Sequence, residues 1–102
     1  MAKLMKKPFL KDIQEYILKG GIELGFDKLS GLQRCLMLGE EVGELFKSVR
    51  KHERITVDTE SSPIEEELAD VFLQLCAVAN FFDIDLEEAF RKKQKKDMVR
   101  WK

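Results

Sequence analysis

Residues 68–82 are apolar on nearly every side of a helix, and this constrains the fold more than any other feature. At about 100° per residue, Leu68, Val71, Phe72, Leu75, Val78, Ala79 and Phe82 cover one broad side. Leu73, Cys76, Ala77 and Phe81 cover much of the rest. A helix apolar nearly all round belongs in an interior. The chain must therefore surround this segment with other helices or with further copies of itself.

Caps and periodicity predict four helices. The first is expected over residues 8–19, with Pro8 at its first position and Gly20-Gly21 as its stop. Phe9, Ile13, Tyr16 and Ile17 share a face, and residues 20–29 read as a loop. The second is expected over residues 31–52, opened by a capping box of Ser30 and Gln33. Leu32, Cys35, Leu36, Val42, Phe46 and Val49 form its apolar face. A polar loop follows at residues 53–62. The third helix opens with Ser62 as cap, Pro63 at the first position and a capping-box glutamate, Glu65, and runs to about Phe82. The fourth starts at Asp85, with Glu88 three residues on, and runs to near Trp101. No segment keeps a period of two. The expected class is all-α, a four-helix arrangement in a single domain over residues 1–102.

Composition narrows the function classes. With 44% hydrophobic and 36% charged residues the chain is globular. Eighteen basic and nineteen acidic residues leave a net charge of −1, which favours neither nucleic acid nor a membrane surface. The basic run Arg91-Lys92-Lys93-Gln94-Lys95-Lys96 is spread round its helix without interleaved aromatics, so a nucleic-acid partner is not expected. Cys35 and Cys76 are no disulfide framework and are expected as reduced core residues. No apolar run approaches the ~20 residues needed to span a bilayer. A cytoplasmic location is expected.

The chemistry lies in carboxylates. Glu67 and Asp70 stand i,i+3 on the apolar third helix, in one stripe with Gln74. Each is followed by apolar residues rather than by basic partners. Burying an unpaired carboxylate costs several kcal/mol. Either that first turn reaches solvent, or the acids bind a cation. Glu41 and Glu44 form a matching i,i+3 pair on the second helix. Alone, that pair reads equally as a solvated face. Together, two pairs on neighbouring antiparallel helices can converge, and four carboxylates at one place require cations. Oxygen-only donors favour hard ions, Mg²⁺ or Mn²⁺. A di-iron bundle requires Glu-x-x-His. The only histidine, His52, has Val49 three residues before it and suits a helix C-terminus instead. On the fourth helix, Lys93, Asp97 and Arg100 continue the face begun by Leu86, Ala89 and Phe90. Cations on such a face suit an anionic ligand such as phosphate, unless the C-terminus is simply solvated.

Glu40-Glu41-Val42-Gly43-Glu44, then residues 45–66, then Glu67-Leu68-Ala69-Asp70, resembles the Glu-Glu-x-x-Glu and Glu-x-x-Asp signature of the MazG-type nucleotide pyrophosphohydrolases. Ile84-Asp85-Leu86-Glu87-Glu88-Ala89-Phe90, with Lys93, Asp97 and Arg100 behind it, is similar to that family's tail. The resemblance covers residues 30–101 and implies an all-α homodimer or homotetramer. It implies Mg²⁺-dependent cleavage of a nucleoside triphosphate to monophosphate and pyrophosphate. By position, Glu41, Glu44, Glu67 and Asp70 match metal ligands, and Lys93, Asp97 and Arg100 match substrate-binding positions. Glu40 and Glu41 are the candidate catalytic groups. The family often has asparagine at position 97, so Asp97 needs Lys93 or Arg100 as a partner if phosphate is to bind there. The competing class is a non-catalytic helical oligomer that binds a partner through its acidic and basic faces.

Overall fold

The structure, a computed structural model, describes residues 3–53 and 63–101. Among these there are four α-helices and no strand: α1 (Leu10–Glu23), α2 (Gly31–His52), α3 (Ile64–Phe81) and α4 (Leu86–Trp101), with a 3-10 turn at Phe26–Lys28. The all-α class expected from the sequence is what the chain adopts. No helix of the described residues is long and apolar enough to cross a membrane.

The chain divides into two compact units. One comprises Met1–Lys28 with Ala79–Lys102, and the other Leu29–Val78. α3 contributes to both.

In the first unit α1 packs against the 3-10 turn and against α4. Its start and its end both differ from expectation. The helix starts at Leu10 with Phe9 at the cap, so Pro8 precedes the helix instead of taking its first position: the Asp12 carboxylate accepts the Phe9 N–H at 2.9 Å, and the Phe9 carbonyl accepts the Asp12 N–H at 3.0 Å. Phe9 offers no side-chain acceptor, so the box is one-sided. Gly20-Gly21 does not stop the helix, which continues to Glu23. Each glycine inside a helix costs about 1 kcal/mol, which weakens a helix without forbidding it. Termination comes at Gly25, whose φ of 82° lies in the left-handed region.

The same unit holds the turn between α3 and α4. Asp83 adopts φ 55°, a conformation that aspartate tolerates better than most residues. Around it the Ile84 N–H donates to the Ala79 carbonyl at 2.8 Å, closing the end of α3. Asp85 caps α4, its carboxylate accepting the Glu88 N–H at 2.9 Å.

In the second unit α2 begins as expected. Ser30 Oγ accepts from the Gln33 N–H at 3.1 Å, and Gln33 Oε1 accepts the Ser30 N–H at 2.8 Å. His52 ends this helix, exposed. α3 starts at Ile64, one residue later than expected. The Pro63 carbonyl accepts from the Glu66 and Glu67 N–H groups, so proline precedes the helix instead of occupying its first position. The Ser62 cap and the loop from residue 54 to 62 lie outside the described residues.

The chain alone does not enclose α3, as its all-round apolar surface implies: Leu68, Phe72, Leu73, Leu75 and Phe81 are exposed, and only Cys76 and Ala79 are buried apolar residues among those described. The rest of so short a chain supplies too little surface to cover it. One burial expectation is corrected: Cys35, expected in the core, is exposed on the same uncovered side of α2 as Leu32 and Leu36.

Candidate metal centre

α2 and α3 each deliver carboxylates from within regular helix, where the backbone is rigid. Glu41 lies midway along α2, and Glu67 and Asp70 occupy the first two turns of α3. One oxygen from each of these three groups lies within 4.8 Å of the others. Spacing of i,i+3 sets Glu67 and Asp70 about one turn apart on one side of α3.

Burial sharpens the grouping. Glu67 is 6% exposed although it sits in a first turn, so the idea that this turn simply reaches solvent fails for Glu67. Glu41 is half-buried and Asp70 is exposed, so the group opens toward solvent on the Asp70 side. Burial, followed by the charges of Asp70, Glu67, Glu44 and Glu40, holds the Glu41 carboxyl above its ordinary value. Burial and neighbouring acids thus both oppose the charge on Glu41. Exposed ion pairs one turn apart include Lys19–Glu15 on α1 and Arg91–Glu87 and Lys92–Glu88 on α4.

The donor set fits a hard divalent cation. All donors are carboxylate oxygens, and spacings within 4.8 Å allow them to close on an ion whose Mg–O distances are about 2.1 Å with small rotamer adjustment. Glu44 stands one turn from Glu41 and acts on its charge, but lies outside the mutual group of three. Glu40 is exposed beside them.

On α4 the Lys93 ammonium donates to Asp97 Oδ1 at 2.7 Å. Asp97 therefore has the cationic partner that an acid at this position needs. Arg100 is exposed one turn further on.

Two polar residues outside the sequence motifs, Gln14 and Asn80, meet at the α3–α4 turn. Gln14 is 6% exposed. Its Nε2 donates to the Ile84 carbonyl at 2.9 Å and to Asn80 Oδ1 at 3.2 Å, and its Oε1 accepts the Leu86 N–H at 2.9 Å. Asn80 Nδ2 donates back to the Gln14 carbonyl at 2.9 Å. The available signal was an amide lodged between Ile13 and Ile17 on the apolar face of α1.

A family model described as a MazG nucleotide pyrophosphohydrolase domain matches residues 30–101. YpjD of Bacillus subtilis is 35% identical over 108 residues, spanning 95% of this chain and 94% of YpjD. Its crystal structure superposes with a TM-score of 0.76 at 32% identity, covering 90% of this chain and 95% of that one. A Bacillus-conserved MazG protein, described as a nucleotide pyrophosphohydrolase, gives a TM-score of 0.74 at 32% identity over 90% of this chain and 92% of its own. iMazG from Vibrio DAT 722 gives 0.68 at 28% identity over 91% and 97%.

Proposed function

Since the chain belongs to the MazG nucleotide pyrophosphohydrolase family, we propose that it hydrolyses a nucleoside triphosphate to monophosphate and pyrophosphate with Mg²⁺, which Mn²⁺ can replace. The observation that carries this is the convergence of Glu41, Glu67 and Asp70 from two helices to within 4.8 Å. Glu44 completes the ligand set from the next turn of α2. Held by these carboxylates, Mg²⁺ would supply positive charge to offset that of the phosphate oxygens.

Glu41 and Glu40 are the candidate groups for the attacking water. One of these carboxylates takes a proton as the water oxygen bonds to the α-phosphorus. The α–β bridging P–O bond then breaks and its electron pair leaves with pyrophosphate. Lys93 and Arg100 bind that pyrophosphate, and Asp97 holds the Lys93 ammonium in place between turnovers.

The active species is a homodimer or homotetramer of one MazG-like domain. Leu32, Leu36 and Phe46 on α2 are between 61% and 72% exposed, and Leu68 on α3 is 52% exposed. A second copy is the simplest cover for these faces. A monodisperse 11.9 kDa monomer in light scattering at micromolar concentration refutes this assembly.

The decisive experiment incubates the protein with a panel of canonical and modified triphosphates and measures pyrophosphate release. Release with Mg²⁺ that a chelator abolishes is the expected result. No release from any triphosphate refutes the enzyme reading.

A further inference from the structure

We propose that Gln14 is a positioning residue that aims the basic face of α4 at the substrate. This rests on the reading that Lys93 and Arg100 bind phosphate. The Gln14 carboxamide takes the last carbonyl before the Asp85 cap and the first N–H after it, those of Ile84 and Leu86. One side chain on α1 therefore grips the start of α4 on both sides of its cap. Asn80, in the last turn of α3, holds the same amide and donates to the Gln14 backbone. α1, the end of α3 and the start of α4 are thus fastened at one buried point.

The chemistry selects glutamine. The grip needs two N–H donors and one acceptor on a neutral side chain of that reach. Glutamate lacks the donors, and asparagine is one methylene shorter. An unmet amide in so buried a place is costly, so the geometry is held tightly.

The length of α4 turns this grip into leverage. At 1.5 Å per residue, Lys93 lies about 10 Å and Arg100 about 21 Å from Leu86 along the helix. A tilt of about 5° at the root therefore moves Lys93 by about 1 Å and Arg100 by about 2 Å. Misplacing a binding group by about 1 Å costs up to about a hundredfold in rate. Asp83 and the Asp85 cap set backbone torsions at the turn, whereas the Gln14 grip adds hydrogen bonds from α1 to the root of α4 beyond the packing of the two helices.

The test compares wild type with Gln14→Met, which keeps the volume and removes every donor and acceptor. Three readouts are taken well below the melting temperature: Michaelis parameters, inhibition by pyrophosphate, and Mn²⁺ binding by electron paramagnetic resonance. KM and the pyrophosphate inhibition constant should each rise about tenfold. Mn²⁺ affinity should stay within about twofold, because the carboxylate group takes no part in the grip. In a Lys93→Ala, Arg100→Ala background, Gln14→Met should add little, since the groups it aims are gone. Unchanged KM in the folded variant overturns the proposal. So does a full additional effect in the double-alanine background, or a parallel loss of Mn²⁺ affinity. Should Gln14→Met not fold, Asn80→Ala releases the amide more gently and is judged by the same readouts. Absence of turnover in wild type overturns the enzyme reading instead. Direct pyrophosphate binding to wild type and variant then still decides the role of Gln14.

Discussion

The acidic group on α2 and α3 and the ionic stripe on α4 handle charge in opposite ways. Glu41, Glu67 and Asp70 bring like charges together, with Glu67 almost wholly buried. Lys93 and Asp97 satisfy one another at 2.7 Å on a largely exposed face. Without a cation the first arrangement is destabilising, whereas the second is nearly neutral. A cluster that opposes folding is retained only for what it binds, whereas a surface pair accounts for itself. The two regions should therefore answer mutation in opposite senses.

The largest expected effect separates activity from stability at Asp70. Asp70→Asn removes a ligand and a repulsive charge together. Turnover should fall by at least about a hundredfold. The metal-free melting temperature should stay unchanged or rise slightly. A structural ion pair behaves the other way: removing one partner of an exposed pair costs up to about 1 kcal/mol instead of relieving repulsion. Marked destabilisation of the metal-free variant, measured by circular dichroism, removes Asp70 from the metal set.

Next in size is the response of the wild type to the cation. At a hundred times its dissociation constant a ligand that binds only the native state adds about 2.7 kcal/mol. For a domain of this length that amounts to roughly 10 °C or more in Tm. Asp70→Asn should lose this response, and Lys93→Ala should keep it. A wild type that melts at the same temperature with Mg²⁺ and with chelator abolishes the contrast between the regions.

Smaller effects belong to α4. Lys93→Ala should raise KM about tenfold, by analogy with the loss of a charge-assisted hydrogen bond worth about 1.5 kcal/mol. Its stability should change by no more than about 0.5 kcal/mol, the worth of an exposed i,i+4 pair. A stability loss several times larger marks the pair as structural and denies Lys93 its proposed role.

The smallest effect is a pH dependence. The folded Glu41 carboxyl titrates above its ordinary value of 4.5, so the folded state favours its protonated form. Its contribution is therefore fully present below pH 4.5 and is lost as pH rises through the raised value. Without metal, Glu41→Gln should gain in Tm over wild type as pH rises from 4.5 toward neutrality, and Mg²⁺ should reverse the order. A difference in Tm that ignores pH shows that the carboxylates do not feel one another.

What the sequence alone determined is local. The bounds of α2 follow from a cap whose partners, Ser30 and Gln33, are three residues apart. The cap of α4 at Asp85 is equally short-range. The i,i+3 register of Glu67 and Asp70, and the pairing of Lys93 with Asp97, are consequences of helical pitch. The end of α1 departs from the local signal because helix propensity is a small energy that neighbouring structure overrides: α1 runs through Gly20-Gly21 while it packs on α4. Tertiary structure alone decided that Glu67 is buried and that Glu41 joins it while Glu44 stands one turn away. It also exposed Cys35 and much of α3, since burial depends on how much surface the rest of the chain can supply. The grip of Gln14 on residues 66 to 72 positions away was equally illegible. Periodicity reports which face a residue occupies, but only the packed chain brings an acceptor on one helix within 3 Å of a donor on another.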